Sequence, residues 1–138
     1  MIYSEFYSEV GKLLYAIADI DGFISPQEKK KLQEIVRREL VPIEKHGDEY
    51  GTDAAFYAET EFNILDENSS DPETAFESFI DFVEEHHTAF DEKMKNVCIR
   101  VAKELAYAYR GTNKKEKMLI DKLKEKLEKV VVKNNNQI

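Results

Sequence analysis

Apolar residues return every three or four positions along nearly the whole chain, and little interrupts them. Ile2, Phe6, Val10, Leu13, Leu14 and Ile17 make one such stripe, and Leu32, Ile35, Val36 and Leu40 make the next. Positions i, i+3, i+4 and i+7 share a face only on an α-helix, whereas a strand would need alternation by two. Five glycines and three prolines are too few for a many-turned β fold of 138 residues. The expectation is therefore an all-α bundle of about six helices.

The stop and start signals divide the chain. The first stripe runs into Asp19-Ile20-Asp21-Gly22. Ser25-Pro26-Gln27-Glu28 then has serine as cap, proline at the first helical position and glutamate three residues past the cap, a capping box. Pro42 should end or kink this second helix. His46 to Gly51 reads as a loop. A third helix from Asp53 would bury Ala55, Ala58, Phe62 and Leu65. Asp71 before Pro72 should start a fourth, burying Phe76, Phe79, Ile80 and Val83. Thr88 with Asp91 resembles another capping box, opening a fifth helix with Met94, Val97, Cys98, Val101, Ala102, Leu105 and Ala108 inward. Gly111 closes it. Asn113 caps a sixth, with Leu119, Ile120, Leu123, Leu127 and Val130 buried. Residues 1–132 read as one helical domain, and 133–138 as a disordered tail with nothing to pack.

Charge is unevenly spread. From Glu44 to Glu92 sixteen acids face one base, Lys45, for −15; from Lys93 to Lys133 thirteen bases face five acids, for +8; the first 43 residues add −1, giving the net −8. The acidic middle repels nucleic-acid phosphates and attracts cations or basic partners. The start of the chain has neither a basic opening nor an apolar stretch of signal-peptide length. No run approaches the ~20 apolar residues that span a bilayer. The expected location is the cytoplasm. Cys98, the single cysteine, excludes an internal disulfide and reads as a core thiol.

One pattern occurs twice. Ala16-Ile17-Ala18-Asp19-Ile20-Asp21-Gly22, with Ser25 and Glu28, parallels Ala106-Tyr107-Ala108-Tyr109-Arg110-Gly111, with Asn113 and Glu116. Each is a helix, a glycine turn and a capped second helix, and two copies would pack about a pseudo-twofold axis. In the first copy the carboxylates of Asp19, Asp21 and Glu28 surround one turn. Hard cations such as Ca²⁺ or Mg²⁺ take several oxygens at once, which makes these three the candidate metal ligands. The loop also resembles a degenerate EF-hand, but its opening ligand position falls on Ile17. Turn and capping chemistry explains the same three residues without any ion.

The same residues resemble the tellurite-resistance TerB domain family. Its hallmark is an apolar helix ending in Ala-x-Ala-Asp-(x-Asp)-Gly, then a hydrophobic residue, a capping position and a helix-initiating glutamate. Here these are Ala16, Ala18, Asp19, Asp21, Gly22, Ile24, Ser25 and Glu28. The decayed second copy and the stretch Gly51-Thr52-Asp53-Ala54-Ala55-Phe56 add to the likeness, which covers roughly Ser8 to Glu128. The resemblance implies an all-α bundle of helix pairs, an acidic patch that binds divalent cations, and a non-enzymatic role in stress-response or membrane-associated assemblies. The family's acidic positions map onto Asp19, Asp21 and Glu28. In the second copy Tyr109 and Arg110 replace the two aspartates, and Arg110 could pair with them in place of a metal.

Other candidates are weaker. His86 and His87 follow Glu84 and Glu85, but adjacent helical side chains point about 100° apart, and there is no His-Glu-x-x-His. Glu59 and Asp66 share a helix face and could form an acid pair, although a solvated face explains them too. Tyr57 and Phe82 fall off the main stripes as candidate docking aromatics. Phosphate loops, serine elbows and nucleotide fingerprints are absent. The expected function is a divalent-cation-binding TerB-like module. The alternative is a metal-free acidic protein–protein interaction module whose charge poles dock a basic partner or pair head to tail.

Overall fold

A computed structural model describes residues 3–44, 55–108 and 111–135. Among them there is no strand, and six helices have ten residues or more. They are α1 (Tyr3–Asp19), α2 (Pro26–Ile35), α4 (Tyr57–Glu67), α5 (Pro72–Glu85), α6 (Glu92–Tyr107) and α7 (Lys114–Asn135), with a short α3 (Val41–Glu44) after α2. The chain is an all-α bundle.

Local chemistry explains most of the boundaries. Gly22 at φ +84° carries the turn after α1, its N–H donating to the Asp19 carbonyl at 2.8 Å. A residue with a Cβ enters that left-handed region only at a cost. Ser25 caps α2 through the expected reciprocal box. Asp71 caps α5 by accepting from the Thr74 N–H at 2.9 Å. Asn113 and Glu116 form a second reciprocal box at α7, at 2.8 and 3.1 Å.

Two expectations are corrected, and the choice left open at Pro42 is narrowed. The cap of α6 is Asp91, which accepts from the Met94 N–H at 2.9 Å; Thr88 lies in a 3₁₀ turn, His87–Ala89. Asp91 has the extended backbone that a capping side chain needs to reach the third amide, whereas Thr88 is held inside the 3₁₀ turn. Pro42 does not end the helix. Val36–Leu40 widens into a π-helical turn, and α3 continues through Pro42. The wider turn gives the proline ring room that a straight α-helix denies it at the carbonyl four residues back. The last helix runs to Asn135, three residues into the expected tail; residues 136–138, like Ile2, His46, Asp53, Tyr109 and Arg110, lie outside the described residues.

Helix α1 is the centre of the bundle, packed against α4, α5, α6 and α7. Phe6, Val10, Leu13, Leu14 and Ile17 are buried along it, together with Tyr7 and Tyr15. At its crossing with α4, a Cβ on Gly11 would run into the Ala58 carbonyl oxygen. The two sequence repeats are related by their contacts. α1 meets α6, α1 meets α7 and α2 meets α6, the pattern expected when exchange of the pairs α1–α2 and α6–α7 leaves the arrangement unchanged. Predicted core positions Leu119, Ile120, Leu123, Leu127 and Val130 are buried, whereas Met94 and Ala108 are only partly so, with Ala106 inside instead.

Candidate functional site

The packing of the two repeats brings their glycine turns together. Asp21 stands between them. Its Oδ1 accepts the Phe23 N–H at 3.1 Å, closing its own turn, and its Oδ2 accepts from Asn113 Nδ2 at 2.8 Å in the other loop. Asn113 occupies the capping place that Ser25 holds in the first copy, so a cap of one repeat clasps the turn of the other. The Arg110 partner considered from the sequence is outside the described residues, and Asn113 makes the cross-loop bond.

Glu28 turns inward. Only 3% exposed, it accepts the Ser25 N–H through Oε1 at 2.9 Å, while the Glu28 N–H donates to Ser25 Oγ at 3.0 Å. Burial raises its pKa above the ordinary value, and the charges of Asp21 and Asp19 add to the rise. Glu116, equally buried, is its counterpart. Burial is the chief reason that its pKa is pushed up to about 7, with Glu28 and Asp21 as the facing charges and the Asn113 N–H opposing. Two capping glutamates thus lie near each other inside the bundle with no arginine or lysine ion-paired to either among the described residues.

Asp19 faces a different neighbourhood. Tyr15 donates its hydroxyl to the Ser70 carbonyl at 2.6 Å and lies 3.2 Å from Asp19 Oδ2. A phenol has one proton, so the shorter bond to Ser70 holds it and the contact with Asp19 is secondary. Burial and the Asp19 charge push the Tyr15 hydroxyl up to about 12. The Asp19 carboxyl is itself raised, first by burial and then by the charges of Asp66, Asp21 and Asp71, against a lowering contact from Tyr15. Asp66 pairs with Lys29 at 3.1 Å, and Asp71 caps α5. Sequence spacing linked Asp66 with Glu59; the packing of α4 on α1 sets it beside Asp19 instead.

The three candidate ligands therefore do not point at one centre. Asp19 looks toward α4 and α5, Asp21 toward the second loop, and Glu28 into its own cap. Among the described residues no three His, Cys, Asp or Glu side chains are placed to hold a metal ion. His86 lies against Phe82, ring centroids 4.4 Å apart, and His87 belongs to the 3₁₀ turn. Cys98 is fully buried, and burial pushes its thiol up to about 12, where the nucleophilic thiolate is scarce at neutral pH. Among the described residues no helix is long and apolar enough to cross a membrane.

A feature that periodicity did not reveal is the first half of α7. It stands as a ridge between two grooves. On one side Lys115, Met118, Leu119 and Lys122 face Ile20 and Phe76; on the other Lys117, Ile120, Asp121 and Lys124 face Tyr107 and Lys103. Met118 is 63% exposed and Tyr107 73%. Tyr107 aligns with Ile17, which is buried, so the repeat carried a hint: the second copy presents at its surface an aromatic where the first buries an aliphatic. Phe56 is exposed, and Tyr57 is half-exposed as its spacing implied. No family model matches the chain, and no curated protein or solved structure is significantly similar to it.

Proposed function

We propose that this chain is a non-enzymatic protein-interaction module of TerB-like architecture, in which the paired loops are a structural clasp and the α7 ridge is the docking face. The observation that carries the reading is the ridge itself, with two large apolar side chains exposed beside grooves whose floors are apolar and whose rims are charged. Exposed apolar groups ringed by polar ones are the usual make-up of a protein-binding patch. The acidic motif supports the same view, since Asp21 and Glu28 have oxygens engaged inside the fold. The face-to-face capping boxes support the TerB-like likeness.

The test is site-specific photo-crosslinking in cells. A photoreactive residue in place of Met118 or Tyr107 should give discrete protein adducts, and one at exposed Asn63 on α4 should not. Equal labelling at all three positions, or none at the first two, removes the reading.

One observation favours a second reading, divalent-cation binding. Asp19 lies among the charges of Asp66, Asp71 and Asp21, and only Asp66 of these four has an ion-paired lysine among the described residues. A Ca²⁺ or Mg²⁺ ion would relieve that repulsion. As the side chains stand, no three of them among the described residues are placed to hold an ion, so Asp19 and its acidic neighbours would have to close on it. In that case millimolar Ca²⁺ or Mg²⁺ raises the melting temperature by linkage and Asp19→Asn abolishes the rise. A melting temperature indifferent to both ions removes this reading and leaves the first.

A further inference from the structure

The groove on the α6 side of the ridge is positively charged in a molecule that is otherwise acidic. It has a volume of about 590 Å³ and is lined by Lys31, Lys103, Lys117 and Lys124 against two acids, Glu104 and Asp121. Lys31 is engaged with Glu34 at 3.2 Å. No ion pair holds Lys103, Lys117 or Lys124 among the described residues. Lys103 and Lys124 are in contact with each other, and chiefly for that reason the Lys103 ammonium is held below the usual lysine range, with Asp121 opposing. Folding gains nothing from two ammonium groups set together, so an anion arriving from outside is what this placement favours. Tyr107, partly buried Ala108 and buried Ile120 supply an apolar surface between the cations.

We propose that this groove binds a short acidic peptide segment of a partner protein, its carboxylates on Lys103, Lys117 and Lys124 and one aromatic or aliphatic side chain against Tyr107 and Ile120. The proposal rests on the docking reading above and names the chemistry of the partner. Spacing agrees with it. Lys117 and Lys124 are seven residues apart on α7, about 10 Å along the axis, between the roughly 7 and 13 Å that separate same-face side chains two and four residues apart on an extended peptide, a difference that long lysine side chains can span. The volume suits a few side chains. A long nucleic acid fits worse, because its phosphates would also run over a chain with −15 between Glu44 and Glu92.

The experiment is fluorescence anisotropy with a labelled peptide in which one phenylalanine is flanked on each side by three acidic residues. The intact chain should bind it at low ionic strength and lose affinity as NaCl is added. The double variant Lys103→Glu/Lys124→Glu should bind at least about tenfold more weakly, since two favourable pairs become repulsive ones. Tyr107→Ala should lose several-fold, and Lys129→Glu, which lies outside the groove, should be unchanged. Lys103→Gln/Lys124→Gln, with its melting curve, guards against misfolding and should fall between the wild type and the reversal. The assignment is overturned if the reversal binds like the wild type, if alanine replaces the peptide's phenylalanine without loss, or if no binding is seen. Tighter binding of a single-stranded oligonucleotide also overturns it. So does self-association of the chain that the reversal abolishes, because the occupant is then a second copy. Failure here with persistent Met118 adducts leaves the docking reading standing; loss of adducts at both Met118 and Tyr107 removes both.

Discussion

Asp21 and Asn113 show how one side chain comes to hold two distant parts of a chain. Each also serves its own turn, Asp21 for the Phe23 amide and Asn113 for that of Glu116, so the bond between them adds no separately ordered residue. Asn113→Ala removes the clasp and the α7 cap together. It should destabilise the fold by about 1–2 kcal/mol, measured by urea denaturation. Glu116 makes a prediction with a sign. Its carboxyl ordinarily titrates at 4.5 and is raised to about 7 in the fold, so the folded chain keeps a proton that the unfolded chain releases. This contribution is complete below pH 4.5 and is lost as the pH climbs through 7, worth roughly 2–3 kcal/mol at most. Glu116→Gln keeps the acceptor oxygen for the Asn113 amide. It should flatten the fall in stability across that window, read from melting temperatures at pH 5 and pH 8. The capping role of Glu28 and Glu116 was legible in the sequence. Their mutual repulsion was not, because a local motif does not say what faces it.

At the level of elements, the helices were legible wherever a cap and a period agreed, as in α2, α5 and α7. The start of α6 was misplaced because Thr88 and Asp91 are both good capping residues, and only the backbone direction after the 3₁₀ turn chooses between them. Gly11 is a second case. In isolation a glycine inside α1 weakens the helix by about 1 kcal/mol relative to alanine, and nothing in the local pattern explains it. The crossing of α1 on α4 does, because the Ala58 backbone occupies the space of the missing Cβ, with the Ala58 α-carbon at 3.1 Å. Gly11→Ala should therefore destabilise by about 2–3 kcal/mol despite its better helix propensity, since backbone must move to admit the methyl. An unchanged or higher melting temperature would mean that α4 can retreat freely.

For the whole molecule, the decisive fact is that α1 touches four other helices. The turn at Asn68-Ser69-Ser70 joins α4 to α5. The Tyr15 hydroxyl bonds the Ser70 carbonyl at 2.6 Å and ties that connection back to α1. Unfolding should be one cooperative transition, with helical circular dichroism and tyrosine fluorescence melting together. Two separated midpoints would show that the repeats are independent units. The uneven charge seen in the sequence becomes, in three dimensions, a lysine-rimmed groove on α6 and α7 in a chain whose middle is acidic.

Periodicity, breakers and caps by themselves determined that this chain is a helical bundle, roughly where its helices begin, and that two of its segments are copies of one design. Those are local properties, fixed by how neighbouring residues share a helix face or satisfy a free amide. Which side chains meet was decided only by packing. Asp19 faces Asp66 and Asp71, Asp21 reaches Asn113, and Lys103 meets Lys124, because contacts between helices depend on crossing angles and on which stripe each helix buries. No short stretch of sequence carries that information.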